Sequence, residues 1–134
     1  MKDFDYGIEL QPDNKELYNA RGIVKSKSND YHAGIEDFNK AMEIDSLYIN
    51  PLINRGNAFF ALKRFPEAIA DYEKALKKEH GKVYLNRYMG LCYYYHGEKQ
   101  KALTALEKVK DKLDPAPRKI YDELSNSGTY SGNQ

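Results

Sequence analysis

Residues Leu52–Leu76, LINRGNAFFALKRFPEAIADYEKAL, decide the fold. Leu52, Gly56, Phe59 and Leu62 line one face of a first helix, and Phe65, Ala68, Ile69, Tyr72, Ala75 and Leu76 line one face of a second. Pro66 falls in the first turn of that second helix, where its missing N–H has no partner to lose. The stretch therefore reads as one helix-turn-helix unit. Sliding it along the chain finds it twice more: Gly22, Gly56 and Gly90 stand 34 residues apart, as do Gly34, Ala68 and Ala102, then Phe38, Tyr72 and Leu106, then Ala41, Ala75 and Val109. Four sets of positions that keep one period through three copies predict an array of stacked helix pairs.

The period divides the chain. Residues 15–48 form the first repeat, with a first helix over about 15–27 starting behind Asp13 or Asn14 and a second over about 31–44. Residues 49–82 form the second and 83–115 the third, whose helices are joined at Gly97 and whose end is marked by Asp114-Pro115. Residues 116–126 read as a half-polar capping helix through Ile120, Tyr121 and Leu124, because a stack leaves its last apolar face open. Residues 127–134 have no periodicity and read as a disordered tail. Residues 1–14 place Phe4 in the frame of Phe38 and Tyr72, so they are either the end of a preceding repeat in a longer chain or a short N-terminal cap.

Composition narrows the function classes. Of 134 residues, 21 are basic and 20 acidic, so no overall field favours nucleic acid or an anionic membrane. The densest basic clusters, Lys74 with Lys77 and Lys78 and the run from Lys99 to Lys110, lie on second helices, which the array turns outward. Cys92 is the single cysteine, which excludes an intrachain disulfide and a multi-cysteine metal site. It stands where the other repeats carry Val24 and Ala58, and so reads as a small core residue. No apolar run is long enough to span a bilayer, and the opening MKDFDYGIEL is too acidic for a signal peptide. His32, His80 and His96 are scattered without metal-ligand spacing, there is no glycine-rich phosphate loop, and the acidic residues are expected on outer helix faces. Catalysis, a cofactor and a metal are not expected.

The glycine series, the Gly34, Ala68 and Ala102 series, the aromatic Phe38 and Tyr72, and the repeat ends at Asp45-Ser46 and Asp114-Pro115 resemble the tetratricopeptide repeat family over Lys15–Pro115. Lys25 replaces the aromatic that Phe59 and Tyr93 supply, Leu106 replaces a second-helix aromatic, and Arg21 and Arg55 replace a leucine. The resemblance implies an all-α, right-handed superhelical solenoid of about three repeats with flanking partial or capping helices. It also implies that the first helices line a concave groove that binds peptides or proteins.

The partner must then be sought in groove residues. On the first helix of repeat two, Asn50, Asn54, Asn57 and Ala61 share a face opposite Leu52, Phe59 and Leu62. Aligned carboxamides suit an extended peptide backbone, since each both donates and accepts, although asparagines on a solvated face require no role. In repeat three the same face carries Tyr84, Tyr88, Leu91 and Tyr95 with Arg87 beside it; these rings either line a groove or pack on the final helix. Repeat one offers Glu16, Ala20, Ile23 and Lys27.

Some family members hold chaperone C-terminal carboxylates with Lys and Asn four apart, Asn in the next repeat, and Lys and Arg four apart in a third. The corresponding residues are Asn19 and Ile23, Asn54, then Tyr84 and Tyr88, and only Asn54 fits; a shift by one repeat matches Asn57 and Arg118 and loses the rest. A chaperone tail is therefore not expected. The reading is a scaffold that binds an extended peptide or protein segment of unknown identity through Asn50, Asn54, Asn57, Tyr84, Arg87, Tyr88 and Tyr95, with no nucleic acid and no membrane. The alternative is a spacer or self-association module, a homo-oligomer formed through the incomplete repeat at residues 1–14, which as a half-repeat is expected to leave Leu17 and Tyr18 open.

Overall fold

A computed structural model describes residues 2–132, with side chains from 3 to 126. The described residues are helical, without a strand, and fall into two units, 1–78 and 79–134. The first unit holds α1 (Lys2–Leu10), α2 (Lys15–Lys27), α3 (Tyr31–Ile44), α4 (Asn50–Ala61) and α5 (Phe65–Lys78). Each of these packs on the next in sequence, and α2 also touches α4. The second unit holds α6 (Leu85–Tyr95), α7 (Lys99–Glu107), a 3-10 turn at Lys110–Lys112 and α8 (Pro115–Gly132); α6 packs on α7 and α7 on α8. Among the described residues no helix is long and apolar enough to cross a membrane.

The glycine series sets how closely each helix pair approaches. A Cβ on Gly22 would come within 2.6 Å of the Phe38 ring, one on Gly56 within 2.8 Å of the Tyr72 ring, and one on Gly90 within 2.6 Å of Leu106. Phe38, Tyr72 and Leu106 are at most 1% exposed, so each repeat locks one large second-helix side chain against a first-helix backbone. Gly34 has the same constraint from the other side, since a Cβ there would meet the Ser26 hydroxyl at 2.4 Å and the Gly22 carbonyl at 2.9 Å.

The turns repeat as faithfully as the core. Asn29, Lys63 and Gly97, each 34 apart, take φ values of 68°, 60° and 86°. The following N–H groups of Asp30, Arg64 and Glu98 bond back to the carbonyls of Lys25, Phe59 and Tyr93 at 2.8–2.9 Å. This is the left-handed helix ending that satisfies orphan carbonyls, and it turns the chain sharply into the second helix. Asn14 caps α2 by accepting from the Leu17 N–H, and Asp30 caps α3 through the Ala33 N–H.

Four expectations need correction. α1 is a helix whose Gly7 lies against Leu17, so Leu17 and Tyr18 are half-buried and not left open. Phe59 and Leu62 are only half-buried, and the guanidinium groups of Arg55 and Arg64 lie over the Phe59 ring. α7 stops at Glu107, so Val109 enters the core from a turn and not from the helix. α8 begins at Pro115 and continues to Gly132, into the stretch read as a tail. Nothing after Pro117 blocks the hydrogen-bond ladder, and Ser, Asn, Thr and Gly weaken a helix only by about 1 kcal/mol or less each. Residues 133–134 and the side chains from 127 onward lie outside the described residues.

The acidic residues are not all on outer faces either. Asp37 and Asp71, on α3 and α5, are 4% and 5% exposed. Arg21 donates to both Asp37 oxygens at 2.9 and 2.7 Å, and Arg55 does the same to Asp71 at 2.9 and 2.7 Å. The third arm of each guanidinium reaches the preceding second helix, to Asp5 from Arg21 and to Asn39 from Arg55, both at 2.8 Å. Arg21 and Arg55 thus bolt a helix pair together and fasten it to the repeat before. In the second unit the equivalent positions are Met89 and Ala105, both buried and apolar. A buried ion pair and an apolar pair are two solutions to filling the same volume.

Candidate functional site: two polar and aromatic helix faces

In the first unit, α4 presents Asn50 and Asn57 exposed and Asn54 half-buried. Asn54 donates its Nδ2 to Asn19 Oδ1 at 3.0 Å, and the buried Asn19 donates in turn to the Tyr48 hydroxyl at 3.3 Å. The Tyr72 hydroxyl, on a side chain 1% exposed, donates to Asn57 Oδ1 at 2.5 Å. These bonds orient both amides. Asn54 keeps its carbonyl oxygen as an outward acceptor, whereas Asn57 keeps its N–H groups as outward donors. Asn54 and Asn57 line a cleft of about 370 Å3 with Ile23 and Lys27 of α2 and Tyr31 and Phe38 of α3. Asn50, on the first turn of α4, is not part of it.

In the second unit, Tyr84 stands at the N-cap of α6 and is 43% exposed, with its ring edge-to-face against Tyr88 at 6.2 Å. The Arg87 guanidinium lies 4.8 Å from the Tyr88 ring centre, donates to the Tyr88 hydroxyl at 2.9 Å and pairs with Asp114 at 2.7 Å. Its charge is therefore largely answered within the unit. Arg87 serves to hold the Tyr84–Tyr88 pair more than to offer a bare cation. Tyr84 and Arg87 also border a cleft of about 230 Å3 closed by Val83, Val109 and Lys112. Tyr95 is 55% exposed and stacks edge-on with Tyr94 at 5.3 Å, away from this cluster. α8 packs on α7, Ile120 is buried, and Tyr84 and Tyr95 are exposed.

The sequence reading named Asn54 and Asn57 but missed what orients them. Asn19 and Tyr48 lie 35 and 6 residues from Asn54, beyond any same-face spacing, and Asn57 meets Tyr72 across the hairpin. Cys92 is buried and its thiol is pushed up to about 12 by desolvation, the reverse of what a nucleophile requires.

Stacked helix pairs of one 34-residue period, each closed on a small residue, with polar and aromatic side chains outward on the first helices, define a helical-repeat interaction protein. Residues 15–46, 49–81 and 87–113 each match the tetratricopeptide repeat, and the chain belongs to that family. Human serine/threonine-protein phosphatase 5 is 30% identical over 98% of this chain and 28% of its own length. That match runs through the phosphatase's repeat region. The chain spans less than a third of the length of such curated relatives. Among solved structures, YrrB, a tetratricopeptide protein with an unusual peptide-binding site, superposes with a TM-score of 0.82 at 21% identity, covering 96% of this chain and 68% of its own. The first repeat domain of Spaghetti (RPAP3), bound to the HSP90 peptide SRMEEVD, superposes at 0.77 with 19% identity, covering 86% of this chain and 93% of its own.

Proposed function

We propose that the chain is a protein-interaction scaffold that holds an extended peptide or protein segment on its first helices, without catalysis. Asn50, Asn54 and Asn57 supply the recognition face of the first unit, and Tyr84, Arg87, Tyr88 and Tyr95 that of the second. The observation that carries this reading is the fixed pair on α4, with the Asn54 acceptor and the Asn57 donors held outward one turn apart by Asn19 and Tyr72. Such a pair can meet both the N–H and the C=O of a passing backbone, and preorganised amides lose little entropy on binding.

The family neighbours bear on the partner. Spaghetti's domain holds an acidic chaperone tail, so an acidic peptide falls within what this fold accepts, and the exclusion of a chaperone tail is withdrawn. The clamp positions still carry Asn19, Ile23, Tyr84 and Tyr88, so a tail bound here would use other contacts. The test is fluorescence polarisation with a random octapeptide pool and with SRMEEVD, on wild type, on Asn54→Ala/Asn57→Ala and on Tyr84→Ala/Tyr88→Ala. Binding that neither double variant weakens would remove these faces from the site.

A second reading, self-association or spacing through α1, is favoured by Tyr6 and Leu10, each 64% exposed on that helix. Analytical ultracentrifugation decides it: a strict monomer over a wide concentration range counts against self-association.

A further inference from the structure

The three turn-proximal positions 26, 60 and 94 are equivalent by the 34-residue period, and they hold Ser26, Phe60 and Tyr94. In the second repeat Phe60 stacks edge-to-face on Phe65, with ring centres 5.6 Å apart and planes at 71°. In the first repeat the partner of that stack is present as Tyr31, but a serine stands where the other ring should be. The space is open: this is the cleft of about 370 Å3 described above, with Ile23, Phe38 and Ala58 as its apolar floor. Tyr31 is steadied there by its hydroxyl, which donates to Asn29 at 3.1 Å. The Ser26 hydroxyl is buried in the wall against Gly34 and has no hydrogen-bond partner among the described residues.

The rim of the cleft is polar and carries one charge. Asn57 offers donors and Asn54 an acceptor, and the exposed Lys27 ammonium has no ion-pair partner among the described residues. We infer that this cleft is an aromatic side-chain subsite: it takes a phenylalanine or tyrosine ring of an extended peptide against Tyr31, in the place Phe60 fills one repeat later. The same peptide carries an acidic side chain next to the ring, and its carboxylate pairs with Lys27. A ring over an apolar floor supplies area, edge-to-face stacking adds directionality, and the single cation selects one carboxylate. The proposal rests on the scaffold reading and names the chemistry of its ligand. It uses none of the three cation positions of the chaperone-tail clamp, which hold Asn19, Tyr84 and Tyr88 here.

The probes are fluorescein-labelled, N-acetylated, C-amidated octapeptide pools, random except for a fixed aromatic-acidic pair, Phe with Glu in either order. Matched pools carry Phe with Gln and Ala with Glu. Acetylation and amidation remove the terminal charges, and the label is common to every pool, so the fixed pair is the difference that the comparison reads. Wild type is expected to bind the Phe/Glu pools about tenfold tighter than either control. Ser26→Phe, which supplies the ring the second repeat already carries, should lower affinity for Phe/Glu by about tenfold or more with unchanged circular dichroism. Lys27→Met should abolish the preference for Glu over Gln and keep the preference for Phe over Ala. Tyr31→Ala, at a half-buried helix start, should do the reverse and serves if Ser26→Phe does not fold. The subsite is wrong, and the scaffold reading stands, if wild type binds the pools, Tyr84→Ala/Tyr88→Ala weakens that binding, and the three cleft variants do not. If no pool binds wild type, both fall.

Discussion

Removing the Asp71 carboxylate is the sharpest test of what holds the second repeat together. Asp71→Ala deletes the acceptor of two charge-assisted bonds, 2.9 and 2.7 Å from Arg55, at a side chain only 7% exposed. Bonds to charged groups contribute about 1.5–3 kcal/mol each, and breaking a fully buried pair costs about 3–5 kcal/mol. Arg55 is 26% exposed and keeps its bond to Asn39, so water recovers part of its solvation. The expected loss is therefore about 2–4 kcal/mol, below the fully buried limit. Arg55→Met/Asp71→Ala copies the Met89 and Ala105 composition of the second unit and should return to within about 1.5 kcal/mol of wild type. Urea denaturation followed by circular dichroism reads both as midpoint shifts at constant slope. A single variant within about 0.5 kcal/mol of wild type, or a double variant as unstable as the sum of its singles, would refute the account of the pair.

Three further outcomes follow from the geometry. Lys63 holds a φ of 60° at the turn where its equivalents are asparagine and glycine, so Lys63→Gly should stabilise by about 0.5–1 kcal/mol in the same assay; Lys63→Val should destabilise, and equal tolerance of the two would contradict the left-handed turn. Cys92 should resist a disulfide reagent in the folded chain at mildly alkaline pH and react on unfolding, because burial holds the thiol protonated; prompt labelling of the native state would contradict its place in the core. The Lys15 ammonium, and then the Leu47 N–H, hold the Asp45 carboxyl below its ordinary 3.8. Its contribution to stability is therefore complete above that value and disappears as pH falls through the lower folded one; carboxyl NMR titration should show the depression, and Lys15→Met should move the midpoint back up.

Helix placement was readable from the chain because the signals that set it are local or periodic. Lys15–Lys27 and Tyr31–Ile44 follow from caps and an apolar face, and Gly22, Gly56 and Gly90 declare a close approach wherever a large residue stands 16 positions later. Contacts made across a hairpin were not readable in the same way. Arg21 and Arg55 looked like substitutions for leucine, and Asp37 and Asp71 like solvated charges, because pairing arguments within a helix reach only three or four residues. A signal did exist: Arg and Asp recur together at 21/37 and 55/71 and vanish together at Met89 and Ala105.

The candidate site divides along the same line. The sequence supplied Asn54 and Asn57 as residues on one face, but which atom each turns outward depends on Asn19 and Tyr72, which only folding brings near. Arg87 is answered by Asp114, 27 residues on, a pairing that no spacing within one helix reveals. Lys27 stands on the patternless face of repeat one, and both it and Ser26 acquire meaning only beside the empty place of a ring.

Amide NMR of the whole chain, titrated with the random octapeptide pool, measures the central claim most directly. Recognition by the first helices predicts shifts at the backbone and side-chain amides of Asn54 and Asn57 and at Tyr84 and Tyr88. Shifts confined to the second helices around Lys74, Lys77 and Lys78, or none at any pool concentration, would contradict it.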